Sequence, residues 1–435
     1  MPVSIHSKPP RRAVVIAGNR TPFQRVFTGL TPLDAVDLGV AAVRGLLERT
    51  QLPWKEVDSL VWGGVILPSG APNVGREIVL DLGLPPEVEA MTVSRACATG
   101  LQAVTLAAAA IERGEADVVI AGGGDSTSNA EIKMGKRLVQ VLGPVSMNRK
   151  AGPLDWLSAV AQLRPLSEVL PRKPEVAERS TGELMGEAAE KMAKRNHIAR
   201  EDQDAFTVTS HQRAAAAIAS GRFNKELTAL EIGERSVDRD NIVRADTSVE
   251  QLARLKPVFD RKAGTLTAGN ASALTDGAAS VLLMSEEKAR ALGLTPLAAL
   301  RSWSFVGVDP ADQLLIGPAI AMPRALERAG LTLGEVDLVD IHEAFAAQVL
   351  CVLKALASEG WAKQRLGRDA AVGEVDPARL NVHGGSLALG HPFAATGARM
   401  VTTMARELAL SDKQTAILGI CAAGGLGAAA VLERV

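Results

Sequence analysis

The chain has 435 residues, 47% of them hydrophobic and 22% charged, with a formal net charge of −1. That length gives room for two or three structural units with large cores, and the near-neutral balance argues against a nucleic-acid surface. Three cysteines, Cys97, Cys351 and Cys421, make neither a disulfide framework nor a spaced metal cluster, so a reducing, cytoplasmic compartment is expected.

Tyrosine is absent, so acid–base chemistry must come from Cys, His, Asp, Glu or Lys. Ala13-Val14-Val15-Ile16-Ala17 is too short for a signal-peptide core and reads as a first buried strand. Residues 32–48 have helical periodicity through Leu33, Val36, Val40, Val43 and Leu47, with Thr31 as N-cap. Residues 57–65 read as a second strand. Residues 88–93 form another that leads into Cys97 and an Ala-rich helix (Leu101, Val104, Ile111). A further strand at 116–121 should end at Gly122-Gly123-Gly124.

From about 133 to 266 the chain is more polar, basic and proline-dotted, with helical patterns at 154–163, 181–197 and 200–220. This stretch reads as an inserted, mostly helical subdomain. Leu154, Trp156, Leu157, Val160 and Leu163 share one helical face, which can pack on the core, meet a partner subunit or touch a membrane surface. Strands then resume at 277–284, 297–305, 336–341, 379–382 and 415–421. The uncharged run 415–432 is broken by Gly424, Gly425 and Gly427, which favours two strands and a turn over a membrane span. Strands alternating with helices predict an α/β sheet covered on both faces.

The chain also repeats itself. Leu52-Pro53-Trp54-Lys55-Glu56-Val57-Asp58 matches Leu331-Thr332-Leu333-Gly334-Glu335-Val336-Asp337, Ala98-Thr99-Gly100 recurs as Ala395-Thr396-Gly397, and 118–124 is echoed in 416–425. Three matches in one order predict two similar halves.

Cys97 falls at a strand-to-helix turn, where free N–H groups and the helix dipole favour a nucleophilic thiolate. His391, in Gly390-His391-Pro392, could take its proton. His342, at the end of an apolar strand, could donate to an oxyanion. Cys421 precedes Ala422-Ala423-Gly424-Gly425, a turn whose N–H groups can form an anion-binding nest. Each residue taken alone has a structural explanation too: a buried cysteine, a loop histidine, a helix cap or strand packing.

Taken together, these motifs and the block Gly264-Thr265-Leu266-Thr267-Ala268-Gly269-Asn270-Ala271-Ser272 resemble the thiolase family over nearly the whole chain. Ser94-Arg95-Ala96-Cys97-Ala98-Thr99 and His391-Pro392-Phe393-Ala394-Ala395-Thr396-Gly397 resemble the 3-ketoacyl-CoA thiolases of bacterial β-oxidation complexes, of the trifunctional-protein β type. The resemblance implies two similar βαβαβαββ halves in α-β-α-β-α layers. The N-terminal domain would span 1–289, with an inserted loop domain at about 133–266, and the C-terminal domain 290–435. It implies that Cys97 is acylated by a 3-ketoacyl-CoA and that His391 acts as base. Cys421 would protonate the acetyl-CoA enolate, whose oxygen His391 and His342 would hold. Backbone N–H groups of Cys97 and Ala423 would form an oxyanion hole. Met185, Arg244, Ser272 and Phe345 would line the CoA site. Coenzyme A is then a substrate, with no metal and no permanently bound cofactor. A homodimer or tetramer is expected, or a heteromer with a hydratase/dehydrogenase subunit. Competing readings are a biosynthetic acetoacetyl-CoA thiolase, a decarboxylating ketoacyl synthase, and a non-catalytic acyl-CoA or lipid-binding relative.

Overall fold

Both halves of the chain share one mixed sheet in this computed structural model, which describes residues 11–132, 134–164, 168–170 and 177–435. The strands in chain order are β1 (Ala13–Arg20), β2 (Gln24–Arg25), β3 (Ser59–Gly63), β4 (Glu89–Val93), β5 (Val118–Asp125), β6 (Leu230–Ile232), β7 (Arg235–Val237), β8 (Thr275–Ser285), β9 (Ala298–Gly307), β10 (Leu338–Ile341), β11 (Thr415–Ala422) and β12 (Leu426–Glu433). Their spatial order is β4-β3-β5-β8-β1-β9-β12-β11-β10. β2 adds to β8, and β6–β7 form a separate hairpin.

This order contains the repeat. In the first half β3 pairs parallel with β4 and β5, and β8 runs antiparallel to β5 and β1. In the second half β10 pairs parallel with β11, and β12 runs antiparallel to β11 and β9. The halves meet where β1 and β9 pair antiparallel through Val14–Ala299 and Val15–Ala298. The strand expected at 379–382 is only a single bridge, Val339 to Leu380, where the counterpart of β4 would lie. Asn381 explains why it stops. Its backbone turns left-handed (φ 44°), and its side chain accepts from the Ile341 N–H and donates to the Ile341 carbonyl, replacing a ladder.

Two helices at equivalent places in the repeat, Thr99–Arg113 and Ala395–Leu410, cover one face of the sheet with a shared core that includes Leu101, Val104, Met400 and Val401. Ala35–Thr50 and Val74–Leu82 cover the other face of the first half. Pro318–Ala329 and Ala346–Leu356 do the same in the second half. That core takes side chains from the strands of both halves, so the central helices lie between the two halves of the sheet and the layers run α-β-α-β-α. The central helices cross where Gly100 meets Gly397. A Cβ on Gly397 would lie 2.2 Å from the Leu101 nitrogen, and one on Gly100 would lie 2.3 Å from the Ala394 oxygen.

Two local expectations are corrected. Asp34, not Thr31, caps the helix after β2, accepting from the Val36 and Asp37 N–H groups while Asp37 answers with a capping box. β5 continues through its three glycines to Asp125. At Gly122 a Cβ would come within 2.3 Å of the Ala279 oxygen, so the glycine allows neighbouring backbone to approach rather than ending the strand.

Residues 130–177 form a unit apart from the rest, and 178–266 belong to the main body. That unit holds helices Lys136–Met147 and Pro153–Ala161. Leu154, Trp156, Leu157 and Val160 are exposed there, and Ala159 alone of the second helix is buried. No helix among the described residues is long and apolar enough to cross a membrane. The uncharged run 415–432 is the β11–β12 hairpin.

Candidate active site

The loop between β4 and the helix Thr99–Arg113 is tightly wound. Ala96 sits at φ 46°, a left-handed conformation that costs a residue with a Cβ about 1–2 kcal/mol. The Arg95 N–H donates to Thr99 Oγ1 (2.6 Å), and the Thr99 hydroxyl donates to the Ala96 carbonyl (2.6 Å). Cys97 is thereby held just ahead of the helix N-terminus. The second half repeats the device 297 residues later. Phe393 is also left-handed (φ 23°), Ala394 takes the place of Cys97, and Ala395 begins the helix. His391 lies just upstream, with its N–H on Thr275 Oγ1 (3.0 Å) at the start of β8. The Gly100–Gly397 crossing brings the two loops face to face.

His342 follows β10 directly, and Cys421 is the penultimate residue of β11. The imidazoles of His342 and His391 lie 4.2 Å apart, centroid to centroid. Ligand-type atoms of Cys97, His342 and His391 all lie within 4.8 Å of one another. Nε2 of each histidine is buried and has no hydrogen-bond partner among the described residues. Both Nδ1 atoms are engaged, His391 with Thr396 Oγ1 (2.6 Å) and His342 with Ser386 Oγ (2.9 Å). Two aimed but unpaired nitrogens beside a thiol are what a reaction site leaves for its substrate.

Electrostatics correct one expectation. Two N–H groups do reach the Cys97 sulfur, its own and that of Ala423 from the turn after Cys421, and both lower its pKa. Desolvation outweighs them, and with the charge of Asp125 nearby the thiol is pushed up to about 11. Cys97 is half-buried as a residue, but its sulfur is walled in closely enough for burial to dominate. Burial, aided by the Arg399 cation, drives His391 down to about 3. Burial, His391 and Arg399 together push His342 well below the ordinary range. The resting pair is therefore neutral thiol and neutral imidazole. Proton transfer to His391 can then accompany attack on the substrate. Cys421 is fully buried, and desolvation plus the neighbouring Cys97 raise its thiol well above the usual value. Such a group is protonated at rest and can give its proton only to a strong base. Cys351 is a buried core thiol whose Sγ accepts from Asn196 Nδ2 (3.4 Å).

Several residues that sequence reasoning did not single out hold these groups in place. Asp125, fully buried, accepts from Val65 and Ile66 N–H in the first half and from Ala394 N–H (2.8 Å) in the second. Glu343 accepts from Ser210, Asn381 and Leu387, tying three segments behind His342. Glu178 accepts from the Gly424 N–H (2.8 Å), fixing the turn after Cys421. Their signal in the sequence is faint, because a buried carboxylate is recognisable only once its donors are known.

Three of the four expected CoA residues come together. The Ser272 N–H donates to the Ala344 carbonyl (3.0 Å), Phe345 bridges Ala271 and meets Phe259 edge to face (6.1 Å), and Met185 packs against the same core. Arg244 lies beside them, exposed, on a cavity of about 190 Å³ shared with His211, Thr247, Leu252, Leu255 and Leu387. No acidic partner holds Arg244 among the described residues, leaving its guanidinium for an anion. Its N–H donates to Nδ1 of His211 (3.1 Å), which burial pushes down to about 4.

A thiol nucleophile, a neutral imidazole, a second proton-holding thiol and paired N–H donors define a thiol-dependent acyltransferase of the kind that makes or breaks a carbon–carbon bond. The family models agree. "Thiolase, N-terminal domain" matches residues 13–287 and "Thiolase, C-terminal domain" matches residues 294–434. The chain belongs to the thiolase family. It is similar to a 3-ketoacyl-CoA thiolase of Yersinia pestis (strain Pestoides F), at 46% identity over 99% of each chain. Among solved structures it is similar to the Bacillus anthracis acetyl-CoA acetyltransferase, with a TM-score of 0.83 and 31% identity, covering 98% of this chain and 99% of that one. It is also similar to human mitochondrial 3-ketoacyl-CoA thiolase in complex with CoA, with a TM-score of 0.81 and 31% identity, covering 98% of each.

Proposed function

We propose that this chain is a 3-ketoacyl-CoA thiolase working in the degradative direction of fatty-acid β-oxidation. Cys97 attacks the 3-keto carbon while His391 takes its proton. The C2–C3 bond breaks, acetyl-CoA leaves as its enolate, and Cys421 protonates C2. His391, having passed the first proton on to restore Cys421, then deprotonates incoming CoA, whose thiolate takes the acyl group from Cys97. The N–H groups of Cys97 and Ala423 stabilise the oxyanion at the acyl carbonyl, and His342 and His391 hold the enolate oxygen. Met185, Arg244, Ser272 and Phe345 bind CoA, with Arg244 suited to a phosphate. No metal and no permanent cofactor enters this cycle. The observation that carries the reading is the pair of buried, unpartnered Nε2 atoms beside Cys97.

The same proposal divides the chain at 289/290, which the repeated strand order supports. It also includes a homodimer or tetramer, or a heteromer with a hydratase/dehydrogenase subunit, in the cytoplasm, with the exposed face of Pro153–Ala161 as its contact with that subunit or a membrane surface. The 3-ketoacyl-CoA substrate class follows the Yersinia relative's name, and the degradative direction is consistent with it. The likeness to an acetyl-CoA acetyltransferase supports a second reading, condensation of two acetyl-CoA molecules. CoA-dependent cleavage assayed across short, medium and long 3-ketoacyl-CoAs decides between them. Activity on medium and long chains fits the first reading, and activity confined to acetoacetyl-CoA overturns it.

A further inference from the structure

Ser386 and Arg399 play no part in the cycle above, yet both are buried against His342. Ser386 opens the short helix Ser386–Leu389 and is fully buried, and Arg399 is 2% exposed on the helix Ala395–Leu410. Arg399 lies with its Nη1 3.6 Å from the Asp340 carboxylate, two residues before His342. Its Nη2 donates to Ser386 Oγ (3.3 Å), and the same oxygen is 2.9 Å from His342 Nδ1.

A guanidinium has only donors, so Ser386 Oγ must be the acceptor from Arg399. The hydroxyl's single proton then points to its other neighbour, His342 Nδ1. With Nδ1 accepting, the one proton of the neutral ring must sit on Nε2. Were Nδ1 protonated instead, two donors would face Ser386 and its own hydroxyl proton would lack an acceptor in a buried place. We infer that Ser386, polarised by Arg399, is a positioning residue that fixes His342 in the Nε2–H tautomer, making it a hydrogen-bond donor into the site. This rests on the proposed role of His342 at the enolate oxygen. It also divides the two adjacent imidazoles. His391, as base, needs the opposite tautomer, with Nδ1–H donated to Thr396 Oγ1 and Nε2 free to accept.

The test uses full-length protein labelled with [15N]histidine, whose ring shifts distinguish the tautomers, with His342→Asn identifying the His342 signals. Wild type should show His342 protonated at Nε2, and Ser386→Ala should shift it toward Nδ1–H, with Ser386→Thr restoring it. Deuterium wash-in at the acetyl methyl of acetyl-CoA should fall on the order of 10-fold in Ser386→Ala, part of the ~10²–10³ that losing a whole oxyanion donor costs. Acyl exchange between an acyl-CoA and CoA through Cys97 should change little, which a merely structural defect would not allow. In a His342→Asn background Ser386→Ala should do nothing further, because an amide donor needs no tautomer. Wild-type His342 protonated at Nδ1 would overturn the inference whether or not any variant folds, and so would a tautomer indifferent to Ser386→Ala. A tautomer that shifts while wash-in stays normal would uphold the device and overturn the enolate role of His342.

Discussion

Gly397→Ala tests whether the helix crossing sets the distance between the two halves of the site. The new Cβ would lie 2.2 Å from the Leu101 nitrogen and 3.0 Å from the Gly100 carbonyl carbon, where ordinary contact begins near 3.4 Å. Both neighbours are backbone, so no side chain can swing away, and the helices must part by about 1 Å. Overpacking of this kind costs about 1–3 kcal/mol. A kinetic cost of comparable size follows, because the loops bearing Cys97 and His391 lead into these two helices. A displacement of about 1 Å between reacting groups costs roughly 100-fold. Thermal melts and steady-state thiolysis of a short 3-ketoacyl-CoA should show both losses. Gly334→Ala is the control, since a Cβ there meets nothing within 4 Å. A Gly397→Ala protein with wild-type melting and turnover would refute the view that this contact holds the site together.

Cys97→Ala should abolish cleavage and acyl exchange together. Cys421→Ala should lose cleavage and deuterium wash-in at the acetyl methyl but retain acyl exchange, and normal wash-in in that variant would contradict the division of labour. His391 is held near pKa 3 when folded and returns to about 6.5 on unfolding, so below pH 6.5 the unfolded state binds a proton the folded state does not. Urea midpoints should therefore be flat in this respect above pH 6.5 and fall from there toward pH 3, with a shallower slope in His391→Asn. Glu407 is held near pKa 2, chiefly by its hydrogen bond from His383, so its stabilisation is present above about 4.5 and is lost as pH falls toward 2. Glu407→Gln should flatten that limb of the acid-unfolding curve. Leu157→Glu with Val160→Glu should weaken partner or liposome binding while sparing cleavage of short substrates, and unchanged binding would remove this face from the account.

Much of the site was legible in the sequence because its chemistry sits in short, local motifs. Cys97 precedes a helix, His342 follows a strand, Cys421 lies near the end of one, and His391 sits in a loop between Gly390 and Pro392, places that glycine and apolar runs mark out. The repeat was legible too, and the paired left-handed residues Ala96 and Phe393 show how deep it goes. What stayed hidden depends on distance along the chain. Asp125 receives its third donor from Ala394, and Ser386 matters only because Arg399 and His342 flank it. The thiolate expected at Cys97 is opposed for a related reason. The Cys97 loop supplies its own N–H group locally, but the Ala423 N–H and the burial that overrides both come from packing between the two halves. Glycines misled at 122–124, where they mark close backbone approach within a strand that continues.

The central claim is that the acyl group passes through Cys97. It is tested most directly by mixing the protein with a 3-ketoacyl-CoA in the absence of free CoA, quenching in acid and mapping peptides by mass spectrometry. The account predicts an acyl group two carbons shorter than the substrate's, attached to Cys97 and removed when CoA is added. An unmodified Cys97 under conditions of turnover, or the acyl group on Cys421, would contradict it.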